Sequence, residues 1–422
     1  MKQKLFYCLT IALLFQSICS AQVSIDNFKK LDSQNDWPWW RGVTRDGHAN
    51  GKAPTSLDLS KNLKWAQPIP GRGHGSPTVV GQQLFVITAD EEKQIHSVFA
   101  LNRSTGKENW QYKLNEGGFP EENHPKNTEA SPSIACDGEK LFAAVFHHKA
   151  VWLTCLSMEG KKLWEKRIAD YNPTRFRYGY AASPVLYGDK VIVVYEYDGP
   201  SGLVALKTSD GSEAWRTERP STITFSSPVV TSYQGKDYLL ISGFDHIRAY
   251  NPATGKELWA TPGVSTATCG TIVWDNGICF ASGGYPQSET LAVKIANGEV
   301  VWRNKQRSYE QSLLATKGNV YVYTENGVLI CWDAATGKEK WTQRWPGMNS
   351  ASAVLADGKI YWANEAGELV VFEENGSKFK ELFRGKIGDE AFASPAICGG
   401  QVYLRVAKNE GDKRQEYILR FE

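Results

Sequence analysis

Along most of the chain, apolar and polar residues alternate in short bursts, and the bursts are β-branched and aromatic. KVIVVYEY at 190–197, GNVYVYTENG at 318–327 and GKIYWANEAG at 358–367 are examples. Such runs predict half-buried β-strands, because successive side chains on a strand point to opposite faces. Tight-turn pairs separate them: Asp137-Gly138, Gly188-Asp189, Asn276-Gly277 and Asp357-Gly358. Beyond the first 21 residues no stretch keeps a helical period. The chain therefore reads as all-β.

The bursts repeat. NRSTGKENW at 102–110, NPATGKELW at 251–259 and DAATGKEKW at 333–341 are near copies. Aligned tryptophans stand at Trp110, Trp164, Trp215, Trp259, Trp302 and Trp341. A second marker, small-Ser-Pro, opens GSPTVV (75–80), ASPSIA (130–135), ASPVLY (182–187), SSPVVT (226–231) and ASPAIC (393–398). Degenerate versions near Cys269, Leu313 and Ser352 fill the gap, so there are eight units. Four short strands per period of roughly 40–45 residues mark a β-propeller. One such sheet cannot bury both faces alone, but radial stacking packs each blade on its neighbours. The expected fold is an eight-bladed β-propeller of four-stranded antiparallel blades.

The termini predict how the ring closes. After Ser394-Pro395 only two further strand-like runs follow, QVYLRVA and QEYILRF. The fourth strand of that blade is expected from LKWAQPI at 63–69, whose Trp65 is a repeat tryptophan with no unit before it. An N-terminal strand in the last blade removes the open sheet edge.

The first 21 residues change the picture of where the chain works. Lys2 and Lys4 precede an apolar run from Leu5 to Phe15 and small residues ending at Ala21. This is the pattern of a secretory signal peptide over 1–21, cleaved after Ala21. The apolar run is too short for a spanning helix, which needs about 20 residues, and no second long run follows. Gln16, Ser17 and Ile18 fit the setting of a lipidated Cys19 badly. The expected location is periplasmic or secreted. The formal net charge of +2 falls to zero without Lys2 and Lys4, which leaves no electrostatic case for nucleic acid or an anionic membrane surface. Six cysteines lie beyond the leader, with no CxxC and no adjacent pair. They read as small buried residues in strands, with room for one or two disulfides of unassigned pairing.

The unit T-G-K-E-x-W resembles the tryptophan-docking motif of the pyrroloquinoline quinone (PQQ) dehydrogenase-like propellers. The stretch NDWPWWRGVTRDG at 35–47 is similar to the N-terminal segment of the same group, through Trp37, Pro38, Trp40, Arg41, Gly42, Arg45, Asp46 and Gly47. The resemblance covers the chain from about Asp36 onward. It implies a tail at 22–59 packed on a propeller at 60–422, and a monomer. The large members are dehydrogenases with PQQ and calcium on the axis; others are outer-membrane assembly lipoproteins that act as scaffolds. The adjacent-cysteine disulfide, the long inserts and the haem-attachment motif of the alcohol dehydrogenases are missing here, which puts methanol-type dehydrogenase activity in doubt.

Loops from each outer strand to the next inner strand converge on one face of a propeller. Arg72, His74, His124, Glu129, Arg177, Tyr178, Tyr180, Glu310, Gln311, Asn349, Asp389, Glu390 and Phe392 fall in those loops. For a quinone with three carboxylates, Arg72 and Arg177 supply cations, and His74, Glu129, Tyr180, Glu310, Asn349 and Phe392 complete the cofactor contacts. Hard calcium takes several oxygens, expected from Glu129, Glu310 and Asp389. Asp389 or Glu390 would be the base in oxidation of an alcohol or sugar. The contrary expectation is a non-enzymatic propeller binding a glycan, another small molecule or a protein partner on the same face. An aromatic axial face without clustered carboxylates favours it. His147-His148 could ligate a metal but more readily reads as exposed loop. Trp37, Trp39 and Trp40 read as anchors of the tail, with a sugar-stacking platform as the alternative. Exposed aromatics in YEYDGPSG (195–202) and GGYPQSET (283–290) could serve as glycan contacts or as ordinary loop packing.

Overall fold

The computed structural model describes residues 23–221 and 223–422; the signal-peptide expectation for 1–21 lies outside them. Eight four-stranded antiparallel sheets account for every strand, in an eight-bladed propeller. Blades 1 to 7 occupy residues 78–116, 135–170, 185–219, 229–262, 273–304, 314–344 and 354–386. Blade 8 joins Ala396–Cys398, Gln401–Glu410 and Lys413–Phe421 to the N-terminal strand Leu63–Ile69. That strand runs antiparallel to Lys413–Phe421, with Ala66 opposite Leu419 and Ile69 opposite Glu416. The ring closes as the repeat count requires.

The repeat motif works between blades. The indole N–H of Trp110 donates to Met158 O at 3.0 Å, Trp164 to Thr208 O, Trp215 to Pro252 O, Trp259 to Ile295 O, Trp302 to Ala334 O and Trp341 to Asn375 O. Trp65 of the closing strand donates to Arg103 O at 3.2 Å. Each acceptor lies where the following blade turns from its third to its fourth strand. Beside each tryptophan the register of the last strand pair slips by one residue, as between Ala249 and Tyr250, a bulge that sharpens the twist of the outer strand. Blade 7 carries Phe383 at the equivalent position, opposite Val371. Its neighbour, blade 8, has no turn from third to fourth strand, because those strands come from the two ends of the chain.

Serines and a threonine at the Ser-Pro markers or their equivalents link six of the eight blade junctions near the axis. The N–H of Ser76 donates to Ser133 Oγ, Ser133 to Ser183, Ser183 to Ser227, Thr271 to Ser312, Ser312 to Ser352 and Ser352 to Ser394, all at 2.8–3.0 Å. These bonds satisfy inner backbone groups that have no sheet partner at the axis.

Residues 23–59 lie against the opposite ends of the inner strands. Trp37 pairs with Val79, Cys136 N donates to Pro38 O, and His48 bridges Leu355. Arg41 is buried and donates to the carbonyls of Ala353, Leu313 and Asp46. Arg45 donates to Val23 O and Leu186 O, with its guanidinium 4.1 Å over the Trp39 ring. Burial lowers both guanidinium groups, to about 10 and about 9. Gly42 is glycine because it adopts φ +76° and a Cβ would collide with the Trp37 ring. The W-R-G-x-x-R-D-G segment is thus a structural plug for the channel, holding one carbonyl after another around the ring.

The six cysteines among the described residues are free thiols, five of them buried, and those residues contain no disulfide. No helix among the described residues is long and apolar enough to cross a membrane.

Candidate functional site

The loops that enter the inner strands enclose an axial cavity of about 280 Å³. Every one of the eight loops reaches it. His74 comes from the first, Lys126, Asn127 and Ser131 from the second, and Phe176, Tyr178 and Ser183 from the third. Phe225 and Thr271 follow, then Tyr309 and Glu310, Ser350, and Phe392. Trp40 of the plug closes the inner end, its indole N–H donating to Thr271 Oγ1 at 2.9 Å. Trp37 and Trp39 are buried anchors. The three tryptophans therefore divide: two hold the tail and the third faces the cavity.

The wall is largely aromatic. His74 stacks on Phe392 with ring centres 4.4 Å apart, Tyr178 packs against His124, Phe176 and Phe225, and Tyr309 carries the Arg307 guanidinium 4.1 Å over its ring. Burial, then the nearby arginines, hold the His74 imidazole far below its usual range, so it is neutral. Its Nε2 is shielded and has no hydrogen-bond partner among the described residues. Cys269, also on the wall, is a thiol pushed up to about 12 by burial and is no nucleophile.

One side is ionic. Lys126 Nζ lies 2.8 Å from Glu365 Oε1 and 3.3 Å from Glu310 Oε1. Ser350 Oγ stands 2.6 Å from Glu310 Oε2 and 2.8 Å from Glu365 Oε1. Burial lowers the Lys126 ammonium, the two carboxylates more than offset this, and the net shift is upward.

Of the residues expected at the site, His74, Glu310 and Phe392 line the cavity, as do His124 and Tyr178. The others are placed elsewhere. Arg72 clamps the second loop, donating to Pro125 O at 3.0 Å. Glu129 is buried beside that loop, accepting from Asn123 Nδ2 at 2.7 Å. Arg177 pairs with Glu122 at 2.7 Å over a separate hollow of about 550 Å³ between residues 118–122 and 172–179. Tyr180 is buried, its hydroxyl donating to Val194 O. Asn349 and Gln311 are buried and bond to the carbonyls of Ala363 and Tyr323. Asp389 accepts from Asn409 N on the outer rim, and Glu390 pairs with Arg414 at 2.7 Å. Glu129, Glu310 and Asp389 do not meet: no group of three or more His, Cys, Asp or Glu side chains able to hold a metal ion occurs among the described residues.

His147 is buried at the end of a strand and stacked on Trp152, not in an exposed loop; His148 occupies the following hairpin turn. Of the two aromatic loops, the second keeps Tyr285 exposed, its ring edge on Phe176, while Tyr195 and Tyr197 are buried.

Lys126, Tyr309 and Ser350 were missed although their segments face the axis. Glu365 was missed because it sits in the hairpin between the second and third strands of blade 7. Those hairpins share the axial face with the entry loops, and that rule of strand alternation would have found it.

An eight-bladed propeller with docking tryptophans and an axial pocket is the architecture of the PQQ-like propellers. The profile of the family described as outer membrane protein assembly factor BamB matches residues 55–177 and 127–343, and the chain belongs to that family. The chain is 23% identical over 363 residues to the outer membrane protein assembly factor BamB of Moranella endobia, covering 79% of this chain and 83% of the relative. It is 27% identical over 296 residues to the polyvinylalcohol dehydrogenase of a Sphingopyxis species, covering 64% of this chain. The match spans only 40% of that dehydrogenase. Among solved structures, a europium-containing methanol dehydrogenase superposes with a TM-score of 0.69 at 14% identity, over 93% of this chain and all of that one. The likeness at that identity is one of fold. The relatives thus include both quinoprotein-type dehydrogenases and assembly factors.

Proposed function

We propose that the chain is an exported, non-catalytic propeller that binds a small ligand, a saccharide end, in its axial cavity. The observation that carries this is the wall itself: Trp40, Phe176, Tyr178, Phe225, Tyr309 and Phe392 around one cavity, interleaved with serine and threonine hydroxyls. Sugar rings stack their C–H faces on aromatics while hydroxyls and amides take up the rim. The volume lies just below the range for drug-sized ligands, about 300–1,000 Å³, which suits a terminal sugar.

The residues present do not fit a quinone tricarboxylate with its metal. Among the described residues, Lys126 is the one cationic side chain on the wall, and two carboxylates already hold it. His74 is neutral, Arg72 is engaged by Pro125, and Arg177 faces the other hollow. Glu310 lines the wall with Glu365 beside it, and Lys126 and Ser350 already engage both carboxylates, too few free oxygens for a hard cation. The relation to dehydrogenases is therefore read as shared architecture.

Calorimetric titration of the mature protein tests the reading. Neutral oligosaccharides are expected to bind, and Tyr178→Ala, a substitution in an exposed loop, to weaken them about tenfold, equivalent to 1.4 kcal/mol. Stoichiometric, calcium-dependent uptake of PQQ would overturn it.

A further inference from the structure

The Lys126 ion pairs span the mouth of the cavity. Lys126 is carried by the loop entering blade 2, Glu310 by the loop entering blade 6, and Glu365 by a hairpin of blade 7. Blades 2 and 6 face each other across an eight-membered ring. A single lysine therefore reaches over the axis to carboxylates on the far side.

The fold does not require this contact. The loop is already tied by Arg72 to Pro125 O and by Ser131 Oγ to Asn127 Oδ1 at 2.8 Å. Lys126 and Glu310 are about one-third exposed, at 31% and 34%, and ion pairs so solvated add little to the stability of the fold. Two carboxylates holding one ammonium leave a formal charge of −1 in an otherwise aromatic wall. Ser350 Oγ contacts both carboxylates and holds one of them through its single proton.

Resting on the axial-cavity reading, we propose that Glu310 and Glu365 recognise the ammonium group of an amino sugar, and that Lys126 is a resident competitor the ligand displaces. The freed lysine swings into solvent, where its stem is already partly exposed. An anionic ligand meets the wrong charge, and an N-acetylated sugar has no cation to offer.

Titration with a glucosamine oligomer, its N-acetylated counterpart and a glucose oligomer of equal length tests this. The free amine is expected to bind at least tenfold more tightly than either neutral oligomer. Lys126→Met, which keeps the aliphatic stem, should tighten the glucosamine oligomer several-fold relative to the glucose oligomer. Glu365→Gln should remove the preference for the amine. Equal binding of all three oligomers, insensitive to Lys126→Met, overturns the ammonium site and leaves the cavity reading intact. Failure of all three to bind overturns both. Tighter binding of a lysine-containing peptide than of the glucosamine oligomer overturns the assignment to a sugar.

Discussion

Gly255 of blade 4 lies flat against the indole of Trp215 in blade 3: a Cβ on Gly255 would stand 2.5 Å from Trp215 Cε3. Gly255 also adopts φ +73°. The glycine and the tryptophan of the repeat therefore serve different interfaces, the glycine receiving the blade before and the tryptophan docking on the blade after. Gly255→Ala is expected to destabilise by about 2–4 kcal/mol through collision and strain together, and Trp215→Ala by about 3–5 kcal/mol. Chemical denaturation of the double variant should show less than the sum, because both act on one contact.

The junction of blades 7 and 8 makes the converse case. Replacing Phe383 by tryptophan restores the repeat in the sequence but not the turn between third and fourth strands that receives the indole in the other blades. Phe383→Trp is expected to destabilise by about 1–3 kcal/mol, the cost of fitting a larger ring into a packed, half-buried site. The reverse change, Trp341→Phe, loses the bond to Asn375 O at 2.9 Å and should cost a similar amount. Thermal melts of the two variants check both.

The closing strand is the most demanding element. Deletion of residues 60–70 removes Leu63–Ile69, which bonds along Lys413–Phe421, together with the Trp65 contact to blade 1. Loss of the cooperative melt is expected, with aggregation through the exposed edge, as read by circular dichroism and size-exclusion chromatography. Trp65→Phe should cost only about 1 kcal/mol through the lost hydrogen bond.

Three buried groups set a pH dependence. Burial lowers His96 and His147 to about 4, so both are neutral in the fold. Their contribution is intact above about pH 6.5 and is lost as pH falls towards 4, because the unfolded chain binds the extra protons. Burial raises Glu129 to about 7. Its contribution is intact below about 4.5 and is lost as pH rises through 7. Stability is expected to peak near pH 6.5. Glu129→Gln should match the wild type at pH 4 and exceed it by roughly 2–3 kcal/mol at pH 8, measured by denaturant titration at the two values.

Much of this architecture was legible before any coordinates, and the reasons are local. A strand such as Asn319–Thr324 declares itself through alternation and β-branching, and the turn at Asn276-Gly277 through the positive φ that both residues adopt. Repetition then counted the blades, and the unpaired Trp65 pointed to the closing strand. The Ser-Pro markers were visible as spacing, but their role as side-chain acceptors for backbone N–H groups was not, since Ser183 and Ser227 meet only once the blades are arranged about an axis.

The site was legible only as a face. The amino-acid sequence by itself determined the all-β class, the eight units, the closure and the loops that gather at the axis, because each follows from short-range pattern and its period. Tertiary structure decided which polar residues face the cavity and which are consumed elsewhere. Arg177, Glu129 and Asp389 carry the right chemistry, yet Glu122, Asn123 and Asn409 hold them away from a common point. Lys126 meets Glu310 across 184 residues of sequence. That pairing exists because the ring brings opposite blades face to face, and no local pattern encodes a contact made across an axis.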